Sequence, residues 1–501
     1  MRPDLLFLLP FAAVFPVWVL AWFDARLSRA LALAVAVAGV LAALGGFFAK
    51  FSPGLMAAPM GGWAAPWGIE IRIVPFTIFW TALLYLLAFL GLWVGVGREK
   101  SAGLGPDAAP AAILLFTGSL AALGMDRDLF DLYLFVELAL LAGGILIARG
   151  GRDLYWPAFR FTLAGSLGAS FLLLGFLYLY AGTGTLNLDD LLSQLLIDKN
   201  EDLIGFGGAW LTLGLALALL FPAPGLFSAF LARLSPELTA FLAPLVGRSA
   251  ALLLFSLYFC ALGAPGFQTP LGLAAAEQAA VVFFLAGFWA GSGEKTWGKV
   301  TAFLSVAVLG YVVAGFVLGS TTALQGALLE LVSQSLALAG FFYLSIWLRD
   351  AVGTDELARL AGLGRRAPGA AALFILLGLN LAGLPPTGGF YGKYYLFEAA
   401  LQQRQWFLAL ALLAAYGFTL VYFARGAWRL FVRPEENPLP LLHPKKTPAS
   451  LNAALWILAL AGLALGLAHK TFLKDLITPA LPKAFQHWTP PVETWGTKDV
   501  E

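Results

Sequence analysis

Apolar runs of membrane length recur along nearly the whole chain, separated by short stretches that collect charge, glycine and proline. A hydrocarbon core about 30 Å thick takes roughly 20 residues of helix to cross. Runs of that kind are read at 4–23, 29–49, 74–97, 109–125, 129–148, 157–181, 203–222, 271–291, 299–319, 322–348, 369–403, 405–431 and 450–472, with 226–262 either an irregular hairpin or one long span. The pattern predicts an all-α integral membrane protein with about 14 transmembrane helices. The first run lacks a small-residue cleavage site and is read as a retained helix, not a signal peptide.

Composition agrees: 60% of the residues are hydrophobic and 12% charged, too few for the polar coat of a soluble protein. The basic residues give an orientation. With an outside N-terminus, the inside loops hold Arg26, Arg29, Arg98, Lys100, Arg149, Arg152, Arg233, Lys295, Lys299, Arg349, Arg359, Arg365, Arg366, Arg429, Arg433, Lys445 and Lys446, while the outside stretch NLDDLLSQLLIDKNEDL is acidic. The positive-inside rule then places both termini on the non-cytoplasmic side. Cys260 is the single cysteine, and His443, His469 and His487 all fall in the last sixth of the chain. No disulfide framework, metal site, cofactor or redox chemistry within the chain is expected. No Gly-rich nucleotide loop follows a strand, no Ser/His/Asp set is visible, and no nucleic-acid partner is expected.

Two of the runs are interrupted. LALALLFPAPGLFSAFLA carries Pro222, Pro224 and Gly225, and GLPPTGGFYGK carries Pro385, Pro386 and four glycines ahead of Lys393. Proline removes a backbone donor and clashes with the preceding turn, so breaks within lipid survive where other groups satisfy the freed carbonyls. Counting spans four to eight as one unit and nine to thirteen as another puts each break in the fourth helix of its unit. Five crossings is an odd number, so the units are inverted copies, and paired broken helices in inverted repeats mark an ion pathway. The organisation expected is 1–105 as N-terminal helices, 106–265 and 266–432 as the two repeats, and 433–501 as a last helix and tail.

Charges within the spans cost roughly 2.5–3.5 kcal/mol each on insertion scales, so those that remain are informative. Glu137, Arg160, Arg248, Glu277, Lys299, Glu330 and Lys393 lie within or at the edge of spans. An acid and a base sharing a buried site shift one another's proton affinity and can pass a proton on. The alternative for Arg160, Arg248 and Lys299 is snorkelling to the interface. Glu330 and Gln334 are four apart and share a helix face, either as a path or as a helix–helix hydrogen bond.

DLFDLYLFVELALL, FRFTLAGSLGASFLLLGFLYLYAGTGTLNL and LGLNLAGLPPTGGFYGKYYLFEAAL together resemble the antiporter-like membrane subunits of respiratory complex I, the membrane-bound hydrogenases and the multisubunit sodium/proton antiporters. The likeness extends over about 120–430. It implies two inverted half-channels joined by a hydrophilic axis that moves protons or sodium ions, with energy supplied elsewhere in a complex. It also implies other hydrophobic membrane subunits as partners, in a bacterial or archaeal cytoplasmic membrane. Glu137 matches the family's fifth-helix glutamate, Arg160 stands near a basic position, and Lys393 falls on the broken-helix lysine.

The departures fall on the same axis. Phe221 or a neighbouring leucine stands where the family carries a seventh-helix lysine, Arg248 takes the place of an eighth-helix lysine, and Gln334 that of a histidine. Arginine does not release its proton at accessible pH and glutamine does not titrate. The sequence therefore supports an ion-translocating subunit with a partly degenerate N-terminal half and a path centred on Glu330, Gln334 and Lys393. Alternatives are a non-conducting scaffold that docks a partner, and a stand-alone transporter.

Overall fold

The computed structural model describes residues 5–48, 56–59, 63, 68–96, 107–149, 152–197, 270–432 and 448–481. The expected spans at 203–222 and 226–262, together with Pro222, Pro224, Arg248 and Cys260, lie outside the described residues.

Helices dominate because a chain surrounded by hydrocarbon must satisfy its backbone internally. The N-terminal group comprises α1 (Leu5–Phe23), α2 (Ala25–Phe48), α3 (Pro75–Val94), α4 (Ala109–Met125), α5 (Leu129–Ala148) and α6 (Tyr155–Thr183). A buried carboxylate fastens one end of this group. Asp107 Oδ2 accepts from Arg149 at 2.7 Å and from Arg29 at 3.3 Å, and Arg29 also donates to the Gly95 carbonyl. Midway along α3, Tyr85 donates its hydroxyl proton to the Leu6 carbonyl of α1 at 2.7 Å.

The helical architecture carries one short hairpin that the hydropathy pattern did not predict. Met56–Pro59 (β1) and Glu70–Ile73 (β2) form a two-stranded antiparallel hairpin with Met56 opposite Ile73. The EIRI stretch alternates half-buried Glu70 and Arg72 with buried Ile71 and Ile73, the period-two pattern of a strand. Arg72 reaches Asp189 at 2.5 Å. That residue belongs to a short helix, α7 (Leu188–Ile197), within the stretch read above as an acidic loop. Asn187 caps it, accepting from the N–H groups of Asp189 and Asp190 at 3.0 and 3.1 Å.

The C-terminal group comprises α8 (Pro270–Ser292), α9 (Trp297–Leu318), α10 (Thr321–Val352), α11 (Pro368–Ala382), α12 (Gly388–Gln402), α13 (Trp406–Phe431) and α14 (Ala449–Leu467). At its centre is α10, 32 residues long and buried all round by α9, α11, α12 and α14. By contrast α13 turns Phe407, Leu410 and Leu413 outward, an apolar face of the kind a bilayer covers. Among the described residues, eight helices are long and apolar enough to cross a membrane, and shorter apolar helices include Ala109–Met125 and Pro368–Ala382.

Two small bridges have the same construction. Asp128, just before α5, pairs with Asn187, four residues past α6; Thr296, just before α9, pairs with Glu356, four residues past α10. Gly184 and Gly353, with φ of 72° and 81°, close α6 and α10. The second bridge is reinforced by Asp355, whose carboxylate accepts from Ser345 Oγ at 2.6 Å and from Gly298 N–H and Arg349 at 3.1 Å. Burial pushes that carboxyl upward, but the hydrogen bonds from Arg349, Ser345 and Gly298 outweigh it and hold it below its ordinary value.

Candidate functional site

The broken run separates into α11 and α12, and each part of the break has a local cause. Gly383 adopts φ 75°, the left-handed conformation that glycine enters without penalty. Leu384 N–H then reaches the Leu379 carbonyl at 2.8 Å and Gly383 N–H the Asn380 carbonyl at 3.3 Å, a Schellman closure. Pro385 and Pro386 occupy the turn, and α12 restarts at Gly388 after Thr387, whose hydroxyl donates to the Leu384 carbonyl at 2.7 Å.

The freed carbonyls at the end of α11 face protein side chains. Lys393 Nζ donates to the Leu381 carbonyl at 3.2 Å and to Glu330 Oε1 at 2.6 Å. Gln334 Nε2 donates to the same Glu330 oxygen at 2.8 Å and lies 3.3 Å from the Leu381 carbonyl. The Lys393 ammonium also stands over the Tyr311 ring of α9, 5.0 Å from its centroid. Glu330 is fully buried and Lys393 is 7% exposed. A carboxylate, the negative end of a helix and an aromatic face thus hold one ammonium in a low-dielectric interior.

That cluster unites three of the residues singled out in the sequence: Glu330, Gln334 and Lys393. The others that fall among the described residues lie apart from it. Glu137 is half-buried on α5 and accepts from Ser166 Oγ of α6 at 2.9 Å. Arg160 is exposed on α6. Lys299, in the first turn of α9, pairs with Glu294 at 3.5 Å with both side chains partly exposed, the position of an interfacial residue. Pro385 and Pro386 are exposed at the break.

Three contributors were not singled out in the sequence. Tyr311 is one. Asn380 and Ser333 are the others, joined by a 2.6 Å hydrogen bond from Ser333 Oγ to Asn380 Oδ1. The available signal for them was an amide in the apolar run LFILLGLNLA and a serine beside Gln334, since polar groups within spans tend to pair across helices. His469, noted in the sequence only as one of three histidines in the last sixth of the chain, is buried just past α14 and stacked on Tyr391 of α12, with Nδ1 2.8 Å from the Gly466 carbonyl. A carbonyl only accepts, so Nδ1 carries a proton there. Among the described residues, no group of His, Cys, Asp and Glu is arranged to hold a metal ion.

Residues 127–419 match the protein family described as NADH:quinone oxidoreductase/Mrp antiporter, TM. The chain is 30% identical to NADH-quinone oxidoreductase subunit N of Desulforudis audaxviator, over 84% of this chain and 87% of that protein. It is 27% identical to a Na(+)/H(+) antiporter subunit of Bacillus subtilis, over 77% of each. In fold it is similar to a chain of the Mrp complex from Dietzia sp. DQ12-45-1b, with TM-score 0.82, 21% identity, and coverage of 97% of this chain and 98% of that one. A chain of an archaeal membrane-bound sulfane sulfur reductase gives TM-score 0.84 at 19% identity, covering 95% of this chain and 96% of that one.

Proposed function

The chain belongs to the NADH:quinone oxidoreductase/Mrp antiporter membrane family, and we propose that it translocates protons or sodium ions as an antiporter-like subunit of a multisubunit membrane complex. The observation that carries this reading is the buried Lys393–Glu330 pair at 2.6 Å, set on the carbonyl end of a broken helix. A proton arriving at Glu330 cancels the charge that holds Lys393, and a proton leaving Lys393 removes the charge that holds Glu330. Either event frees a side chain to move, which couples proton movement to charge movement along the axis. Gln334 cannot titrate and serves as a fixed donor to Glu330.

About fourteen crossings, ten of them in two inverted five-helix repeats, fit this function. Support comes from the matched bridges, Asp128 with Asn187 and Thr296 with Glu356, which hold corresponding places around successive helices. In this reading the N-terminal half is the degenerate one: Glu137 is met by a serine hydroxyl and Arg160 is exposed. The complex resides in a bacterial or archaeal cytoplasmic membrane with both termini of this chain on the non-cytoplasmic side, as the distribution of Lys and Arg favours.

Ion flux into sealed vesicles holding the whole native complex tests the proposal, with H⁺ and Na⁺ followed separately and assembly checked by subunit content. Lys393→Ala is expected to abolish most of the flux with assembly intact. Unchanged flux would mean that the chain is a scaffold.

A further inference from the structure

Asn380 lies in the last turn of α11, 2% exposed, and its side chain joins three pieces of the chain. Its Oδ1 accepts from Ser333 Oγ of α10 at 2.6 Å and from Gly389 N–H of α12 at 3.1 Å, and its Nδ2 donates to the Ser333 carbonyl at 3.0 Å. The bond from Gly389 satisfies one of the backbone donors that every helix start leaves open. On the remaining side, α14 closes over the amide: a Cβ on Gly462 would lie 2.5 Å from Nδ2.

Ending α11 does not require this amide, because Gly383 and its Schellman bonds already do so. Burying an amide in an apolar interior costs free energy unless its bonds are made. What Asn380 adds is a cross-link, and the linked points flank the charge pair. Ser333 lies three residues after Glu330 on α10, Gly389 lies four before Lys393 on α12, and Asn380 immediately precedes Leu381, whose carbonyl takes the Lys393 ammonium.

We propose that Asn380 is the positioning residue of the site, holding α10 and the two half-helices in the register that lets Lys393 close on Glu330. It touches neither charge; it sets the distance between them. This rests on the reading of Glu330 and Lys393 as the translocating pair, yet the register itself can be tested without any flux.

A hydrophobic carbodiimide reacts with a buried carboxyl that holds a proton, and a carboxylate clamped by an ammonium is protected. The native complex in its membranes is treated with dicyclohexylcarbodiimide at neutral pH, and the adduct on Glu330 is quantified by mass spectrometry, with Glu330→Gln as blank. Lys393→Ala is expected to raise labelling most. Asn380→Ala, and Ser333→Ala as the milder variant should the first fail to assemble, are expected to raise it about tenfold, the effect of losing roughly 1.4 kcal/mol of positioning. Asn380→Ser, which keeps one hydroxyl acceptor for Gly389, is expected to fall between wild type and Asn380→Ala. Labelling unchanged in Asn380→Ala and Ser333→Ala, while Lys393→Ala raises it, overturns the inference. Labelling unchanged in Lys393→Ala also overturns it, because the pair to be positioned would not exist. Raised labelling in Lys393→Ala, Asn380→Ala and Ser333→Ala with flux unchanged leaves the positioning role standing and removes the translocation reading alone.

Discussion

Gly392 of α12 faces the backbone and carboxylate of Glu330: a Cβ built on it would lie 2.7 Å from Oε2 and 2.9 Å from the Glu330 nitrogen. Backbone atoms of a buried helix cannot yield as a flexible side chain does. Gly392→Ala is therefore expected to push α12 off α10, at a cost of about 1–3 kcal/mol. A lowered thermal midpoint of the purified assembly checks this; an unchanged midpoint would show that the two helices are not in this contact.

The Lys393–Glu330 pair predicts a stability cycle. Removing one member leaves the other to bear a buried charge without this partner or to change its protonation, at a cost of up to about 3–5 kcal/mol, whereas removing both leaves neither charge. Lys393→Ala is expected to destabilise strongly, and Lys393→Ala with Glu330→Gln to recover most of the loss. Denaturation of the four forms under identical conditions measures the coupling. Additive losses would show that the charges do not interact.

Asp126, at the end of α4 and 4% exposed, predicts a pH dependence. Burial raises its carboxyl to about 8; the Asp128 and Arg127 N–H groups pull it down, and the Asp131 and Asp128 charges push it up. The unfolded chain releases this proton near 3.8, so between 3.8 and about 8 the folded state holds a proton that the unfolded state has lost. Stability then falls as pH rises through that window. Asp126→Asn is expected to raise stability over wild type by an amount that grows from about pH 4 to about pH 8 and then levels off. A pH series of thermal midpoints for both forms checks it, and a constant offset would refute it.

The legible part of this protein was the part that solvent dictates. Spans read from hydropathy at 109–125 and 129–148 coincide with α4 and α5, because apolar residues in a bilayer have no alternative to internally bonded helix. The break at 383–389 was equally readable, since Pro385 and Pro386 cannot continue a helix. The hairpin of Met56–Pro59 with Glu70–Ile73 was missed. Four-residue strands in a connecting stretch carry too little period to stand out.

The order of residues alone thus specified the solvent, the helices and the side chains whose burial is costly, because each depends on a local run. Which of those side chains meet was settled by the packing of the helices. Lys393 finds Glu330 across 63 positions and Asn380 finds Ser333 across 47, and nothing local to either partner encodes the other. The physical reason is that these contacts depend on how closely helices approach. Gly389 and Gly392 let α12 lie against α11 and α10, and that approach, absent from any periodicity, turns separate polar residues into one charged site.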